Sequence, residues 1–396
     1  MTSASRTWLL RVAAFATLFA FVVIVFGAFV RLSNAGLSCP DWPTCYGKAS
    51  WPGHEQDIAN ANAAFPERAY ESHKAWREQG HRMIAGTLGV LVLAISLIAV
   101  WSRPRLRWLI VASAVMAAIG VASYMKQAYL LSSLLSVVAL TLPFIAAAKL
   151  DKPAAWRIAT ISLAVVIFQA MLGMWTVTWL LKPIVVMGHL LGGLLLFSLL
   201  GYIAISLAYA QGIRALPAQA LRLKPMLIAG IVLLAVQIAL GGWTSANYAA
   251  LACGMDFPRC LGQWWPQTDF SEAFVLWRGI GVNYEGGVLD GAARSAIQMT
   301  HRIGAVVVLL HVGAIAVLAW RRGLPRFGFL IGALLVAQIV LGISNVVLGL
   351  PLAVATAHTA VAALLLLSLI AALACMQAAP VATMTDTAAM HPASLT

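Results

Sequence analysis

Long apolar runs alternate with short polar ones along this chain. The stretches 8–30, 82–101, 108–125, 128–148, 158–179, 184–209, 226–246, 297–320, 327–348 and 352–375 are each long enough to span a bilayer, because its hydrocarbon core requires about 20 apolar residues in a helix. A helix satisfies its own backbone in lipid, whereas runs of this length do not suit barrel strands. The pattern predicts an all-α integral membrane protein of about ten spans. The first run resembles a secretory leader, but it is long enough to span and no small-residue cleavage site follows, so it reads as a retained helix. The two longest connections, 31–81 and 247–296, hold Pro, Gly, Trp and acidic residues without a spanning stretch. Beyond Cys375 the chain is small and polar, and residues 377–396 are expected to be a disordered tail.

Composition narrows the class further. The 396 residues are 62% hydrophobic and only 10% charged, with a mean hydropathy of +0.89, which excludes a soluble enzyme and a disordered chain. A net charge of +13 would suggest nucleic acid in a soluble protein, but its placement argues otherwise. Arg6, Arg11, Arg103, Arg105, Arg107, Lys149, Lys152, Arg157, Arg214, Arg222, Lys224, Arg321, Arg322 and Arg326 fall in short segments that alternate with acid-bearing loops. Those segments are expected in the cytoplasm, with both termini inside and the long loops outside a bacterial inner membrane. The expected partner is the lipid bilayer, with no nucleic acid.

The two halves carry matching landmarks in the same order. Gly27 stands twelve residues before Cys39, and Gly241 twelve before Cys253. Asp41-Trp42-Pro43-Thr44-Cys45 answers to Asp256-Phe257-Pro258-Arg259-Cys260, and His81-Arg82 answers to His301-Arg302. Gln-x-x-Leu-Gly recurs at 169–173 and 338–342, an element that is weak by itself because 237–241 echoes it, and Pro183 to His189 parallels Pro351 to His358. His81 and His189 are 108 residues apart, whereas His301 and His358 are 57 apart. A helical hairpin inserted at 103–150 explains the surplus. The plan is two pseudo-symmetric four-helix bundles plus that hairpin: an N-terminal unit over 1–210 and a C-terminal unit over 211–376.

His81, His189, His301 and His358 sit at the outer ends of spans, two per half on different helices. Imidazoles at membrane depth need partners. Pairs on separate helices of one bundle suit axial ligation of a haem, with zinc, copper or a polar network as alternatives. Zinc asks for further thiolates or carboxylates, and none repeats in both halves. Glu78 lies one turn before His81, where the second half has Gln298. The carboxylate reads as an acid–base group or as an interfacial charge paired with Arg77 or Arg82. Arg82 and Arg302 suit either haem propionates or lipid headgroups. Cys39 with Cys45 and Cys253 with Cys260 form two close pairs in outer loops, suited to disulfides that staple the loops or exchange in a redox cycle. His311, with no counterpart, reads as a helix-packing residue, His54 and His73 as solvated, and His391 belongs to the tail.

These motifs together resemble the haem A synthase family, membrane enzymes that convert haem O to haem A for cytochrome oxidase. The resemblance rests on Gly36-Leu-Ser-Cys39-Pro-Asp-Trp-Pro-Thr-Cys45, Glu78-x-x-His81-Arg82, Leu172-Gly-Met-Trp-Thr-Val177, His189-Leu-Leu-Gly192, His301-Arg302 and His358, and it covers nearly the whole chain. It implies a haem b cofactor whose iron is held by His301 and His358, a haem O substrate near His81 and His189, and Glu78 as the catalytic carboxylate. The implied reaction oxidises a porphyrin methyl to a formyl group, with water as the oxygen source and haem b relaying electrons to an unidentified acceptor. A haem O synthase would hand over the substrate, and a homo-oligomer stays open. The 103–150 hairpin departs from the simple eight-helix pattern. A non-catalytic di-haem cytochrome or haem carrier is the rival reading.

Overall fold

The computed structural model describes residues 3–210 and 216–378; Arg214, His391 and almost all of the expected tail lie outside them. The described chain forms α1 (Ser3–Leu32), α2 (Glu55–Ala64), α3 (Ser72–Val100), α4 (Pro104–Met125), α5 (Tyr129–Ala148), α6 (Ala154–Thr178) and α7 (Pro183–Tyr209). There follow α8 (Ala218–Leu221), α9 (Lys224–Ala246), α10 (Phe270–Ala273), α11 (Gly291–Arg321), α12 (Pro325–Val347) and α13 (Leu352–Ala378). Ten helices are long and apolar enough to cross a membrane, so the expected all-helical, multi-pass architecture holds. Proline in the first turn sets the starts of α4, α7, α9 and α12, where its missing N–H costs no helical bond.

Two helices start well before their apolar runs. α3 begins at Ser72 rather than 82, and α11 at Gly291 rather than 297. Their opening turns are polar, and a search for lipid-soluble segments passes over them. At α11 the side chain of Asp290 caps the helix by accepting from Ala293 N at 2.8 Å. Glu78 and His81 therefore stand inside a helix, not in the loop that leads to it.

Packing closes two four-membered rings. In the first, α1 packs on α3, α3 on α6, α6 on α7 and α7 back on α1. In the second, the cycle runs α9, α11, α12, α13 and back to α9. The rings share a seam in which α7 meets α9 and α13, and α1 meets α13. The hairpin α4–α5 lies against α6 and α3, on the far side of the first ring from that seam. Buried Leu9, Ile95, Trp156, Phe197, Leu200, Leu227 and Ile315 belong to one apolar core that runs through both rings. Leu18, Leu130 and Leu310 remain exposed, as residues against lipid tails should be.

Both long loops lie over the ends of the rings, on the side where α3, α7, α11 and α13 begin. The second loop also reaches across the first ring. Tyr284, fully buried, donates its N–H to the carbonyl of Leu180 at 3.1 Å. Trp277 lies over the ammonium of Lys182 at 3.3 Å.

Candidate haem-binding site

In each ring the two histidine-bearing helices occupy diagonal corners. His81 stands on α3 and His189 on α7, while His301 stands on α11 and His358 on α13. The other diagonal supplies glycines: Gly27 on α1, Gly173 on α6, Gly241 on α9 and Gly342 on α12. Each imidazole approaches one of them with its Cε1 edge. A Cβ added at Gly27 would stand 2.7 Å from Cε1 of His81, and at Gly173 3.2 Å from Cε1 of His189. At Gly241 and Gly342 the corresponding distances to His301 and His358 are 3.2 and 3.1 Å. Any larger residue would displace the ring, so these positions exist to admit it. All four histidines are only partly buried, which leaves ring atoms accessible within the bundles.

Glutamines one turn before three of those glycines reach the same imidazoles. Gln169 Nε2 donates to the His189 carbonyl at 2.5 Å and lies 3.0 Å from its Nδ1. Gln237 Nε2 donates to the His301 carbonyl at 2.9 Å and lies 3.1 Å from its Nδ1. Gln338 Nε2 lies 3.2 Å from Nε2 of His358, leaving Nδ1 of that ring buried without a hydrogen-bond partner. In the sequence these glutamines are only landmarks for aligning the halves, within an element that its third occurrence at 237–241 makes weak. All three are contact residues of the site. The available signal was a glutamine four residues before each of three glycines, on helices that each precede a histidine-bearing span.

Glu78 is buried, and three donors converge on its carboxylate. Ser38 Oγ donates at 2.9 Å and the backbone N–H of Cys39 at 2.8 Å, while Arg82 forms a close ion pair. Of the two partners considered for an interfacial charge, Arg82 is the one in place. Arg77 instead lies over the rings of Phe29 and Trp76. Gln298 is equally buried, and its Oε1 has no partner.

The arginines after the histidines spend their donors on the loops. Arg82 donates to the carbonyls of Asp41 at 2.8 Å and Thr44 at 2.7 Å. Arg302 donates to those of Asp256 at 3.1 Å, Pro258 at 3.3 Å and Arg259 at 2.9 Å. Disulfides Cys39–Cys45 and Cys253–Cys260 close the two loops, with S–S distances of 2.04 and 2.00 Å. Asp41 ties the first loop by accepting from Thr44, Tyr46 N and Gly47 N, and Asp256 ties the second by accepting from Gly262 N at 2.7 Å. Each loop is thus fastened to the helix that carries a histidine of its ring.

The donor set of each ring, two imidazoles on diagonal helices, fits the axial needs of a tetrapyrrole. Among the described residues no three His, Cys, Asp or Glu side chains converge, so neither pair completes the tetrahedral shell that zinc prefers. A porphyrin brings four nitrogens and asks the protein only for axial ligands. A ring bound through Nε2 carries its proton on Nδ1 and needs an acceptor there. Oε1 of Gln169, Gln237 and Gln338 are all buried without a partner; turning Oε1 of Gln169 or Gln237 to that proton would cost the bond their Nε2 makes to the His189 or His301 carbonyl, and Gln338 faces Nε2 of His358 instead. His358 must turn its ring to present Nε2 as His189 and His301 do. The remaining histidines lie apart: His311 Nε2 is 3.0 Å from the carbonyl of Met226, within a helix contact, and His73 is exposed beside Glu71.

Fold and site define a polytopic membrane protein in which each of two helical rings carries two histidines on diagonal helices and is fastened to a disulfide-closed loop. The sequence profile of the COX15-CtaA family, cytochrome oxidase assembly protein, matches residues 7–129 and 129–370, and the chain belongs to that family. It is 38% identical to a heme A synthase of Shewanella oneidensis over 368 residues, covering 92% of this chain and 94% of that protein. It is also 27% identical to the heme A synthase of Rhizorhabdus wittichii over 387 residues, 93% and 92% of the respective chains. A shorter match, 34% over 79 residues, joins 20% of the chain to 19% of a heme A synthase of Lysinibacillus sphaericus.

Proposed function

We propose that this chain carries out haem A synthesis, oxidising a methyl group of haem O to a formyl group, with the substrate in the first ring and a haem b in the second. The supporting observation is that both rings set two imidazoles on diagonal helices, but only the first adds a carboxylate one turn from its ligand. His81 and His189 would hold the substrate iron, and His301 and His358 the iron of haem b. In this reading the functional units are residues 1–210, carrying the 103–150 hairpin, and 211–376.

Methyl plus water gives formyl with release of four electrons and four protons, through the alcohol. The protein must tolerate electron deficiency beside the porphyrin and remove protons. Glu78 supplies negative charge there, fixed in direction by Ser38, Cys39 and Arg82. For the carboxylate to take a proton, one of those donors must yield, and the Ser38 hydroxyl can rotate away at least cost. Haem b, when bound, supplies one-electron transfer toward an acceptor outside the chain. Arg82 and Arg302 are committed to loop carbonyls in this structure, so they act in the proposal by holding the loops over the pockets. Haem O, with its apolar tail, would arrive through the bilayer, handed over by a haem O synthase. The short basic connections would face the cytoplasm, placing both pockets toward the outer side.

The test is to supply purified protein with haem O, extract the pigments and determine their masses. Conversion through a hydroxymethyl species to the aldehyde, abolished in Glu78→Gln with total haem retained, is the expected result. Haem O returned unaltered under oxidising conditions overturns the proposal in favour of a carrier or cytochrome.

A further inference from the structure

We infer that Gln169 and Gln237 hold the ring orientations of His189 and His301 at Nδ1, that Gln338 meets His358 only at Nε2, and that His81 is the one imidazole of the four with no amide to hold it. The inference rests on the reading of these histidines as haem ligands and deepens it. It separates a site built for exchange from one built for retention.

Register carries the argument. Gln169, Gln237 and Gln338 each stand four residues before the glycine that faces a histidine, on the same side of the helix one turn away. On α1 the position four residues before Gly27 is Val23, a buried apolar side chain with no hydrogen bond to give. Nδ1 of His81 is accordingly buried without a partner.

A second feature of the sequence agrees. Gly192 and Gly304 stand three residues after His189 and His301. A Cβ at these positions would come within 2.3 Å of Gln169 Oε1 and 2.2 Å of Gln237 Oε1. The glycines are the floor of a socket for the amide. The same offset from His358 is Val361, and Gln338 there reaches Nε2 alone. From His81 it is Ile84, and there is neither socket nor amide. Ring fixation thus decreases from His189 and His301 to His358 and then to His81.

Functionally, both imidazoles of the second ring meet an amide, although His358 would have to turn to ligate through the Nε2 that Gln338 now meets, whereas the first ring has one imidazole held by an amide and one that meets none. A resident cofactor needs the former. A substrate that arrives as one haem and departs as another needs a ligand that releases, and His81, on the helix that carries Glu78, is placed to be it.

The full-length protein in lipid nanodiscs, loaded with haem O, is mixed with excess apomyoglobin, and haem transfer is followed for each pigment. Gln169→Leu is expected to speed loss of haem O, and Gln237→Leu loss of the retained haem, each roughly tenfold or more, the usual cost of removing a group that orients a metal ligand. Val23→Gln is expected to slow loss of haem O, whereas Val23→Leu is not. The low-spin electron paramagnetic resonance signal of the retained haem should shift in Gln237→Leu, because its anisotropy reports the angle between ligand planes. Wild-type transfer rates and an unshifted signal in both leucine variants, with haem A still formed, overturn this inference alone. Should Val23→Gln fail to assemble, the two leucine variants decide. A wild-type protein that takes up no haem O overturns the functional reading beneath it.

Discussion

The two rings are built from the same parts and differ at a few places, all close to the ligands. Gly27 and Gly241 face His81 and His301 alike, and both loops are closed by a disulfide six or seven residues apart in sequence. Where the first ring has Glu78, Ser38 and Val23, the second has Gln298, Ala252 and Gln237. These substitutions are related. Ser38 exists to donate to Glu78, and Ala252 has no carboxylate to serve. Gln237 fixes a ring, and Val23 leaves one unfixed. The same helical plan thus carries a buried carboxylate in one ring and an additional amide-to-imidazole contact in the other.

The sharpest way to break this division is to remove ligands one ring at a time. His301→Ala or His358→Ala is expected to strip the purified protein of its retained haem almost completely. His81→Ala should leave that pigment in place and stop conversion of haem O. Absorption spectra and pigment extraction read both outcomes, and retention lost through His81 rather than His301 would invert the assignment.

Glu78→Gln comes next, with product formation expected to fall about a hundredfold or more, the scale of a lost acid–base group. Haem content should not change, since no ligand is touched. Ser38→Ala makes the first loop resemble the second and should slow conversion by less, with about 1.5–3 kcal/mol lost from stability for one hydrogen bond to a charged group. If Ser38→Ala were the more damaging of the two, the hydroxyl rather than the carboxylate would be the reacting group.

Much of this molecule could be read from its residues, for identifiable reasons. Spans show because lipid tolerates so few polar side chains, and the disulfides because their cysteines lie close in sequence within the two long loops. The four histidines stood out as recurring polar residues in apolar surroundings. Helix starts were misplaced at α3 and α11 because Ser72 to Lys74 and Gly291 to Ser295 form helical turns that an apolarity pattern cannot see. Arg82 and Arg302 were assigned to propionates or headgroups, yet they bind carbonyls some 40 residues away, as with Asp41 at a separation of 41 and Arg259 at 43. No spacing rule connects such positions. The glutamines illustrate a further limit. The match at Gln237 makes the Gln-x-x-Leu-Gly element look weak in the sequence, because its significance lies in a glycine one turn later meeting a ring on another helix, a relation that exists only after packing.

The glycines allow a smaller and more local comparison. An alanine at Gly27 would bring its Cβ to 2.7 Å from His81, whereas at Gly241 the gap to His301 is 3.2 Å. Overpacking of this kind costs about 1–3 kcal/mol. Gly27→Ala should therefore lower the melting temperature in detergent more than Gly241→Ala, although His81 is the less constrained ring. The opposite order would mean that freedom of the ring, and not the room beside it, decides the cost.

The smallest difference expected between the halves lies in the loops, at high pH. Tyr46 follows Cys45, and Leu261 follows Cys260, in the same left-handed backbone conformation, with φ of 53° in both. Tyr46 is packed against Phe65 and Tyr70 and donates to the carbonyls of Arg68 at 3.1 Å and Ala69 at 3.3 Å. Burial pushes its phenol from 10.0 up to about 12, against the pull of nearby Arg68. Since the folded value is raised, the neutral phenol contributes its full stabilisation below the unfolded value near pH 10, and that contribution is lost as pH climbs through about 12. Leu261 has nothing to titrate, so only the first loop should loosen. The check is alkaline titration of tyrosinate absorbance, taken as the difference between the wild-type protein and Tyr46→Phe. A midpoint near 12 supports a phenol held beneath the loop; a midpoint near the ordinary value of about 10 would show that Tyr46 is wet and that the two loops respond alike to base.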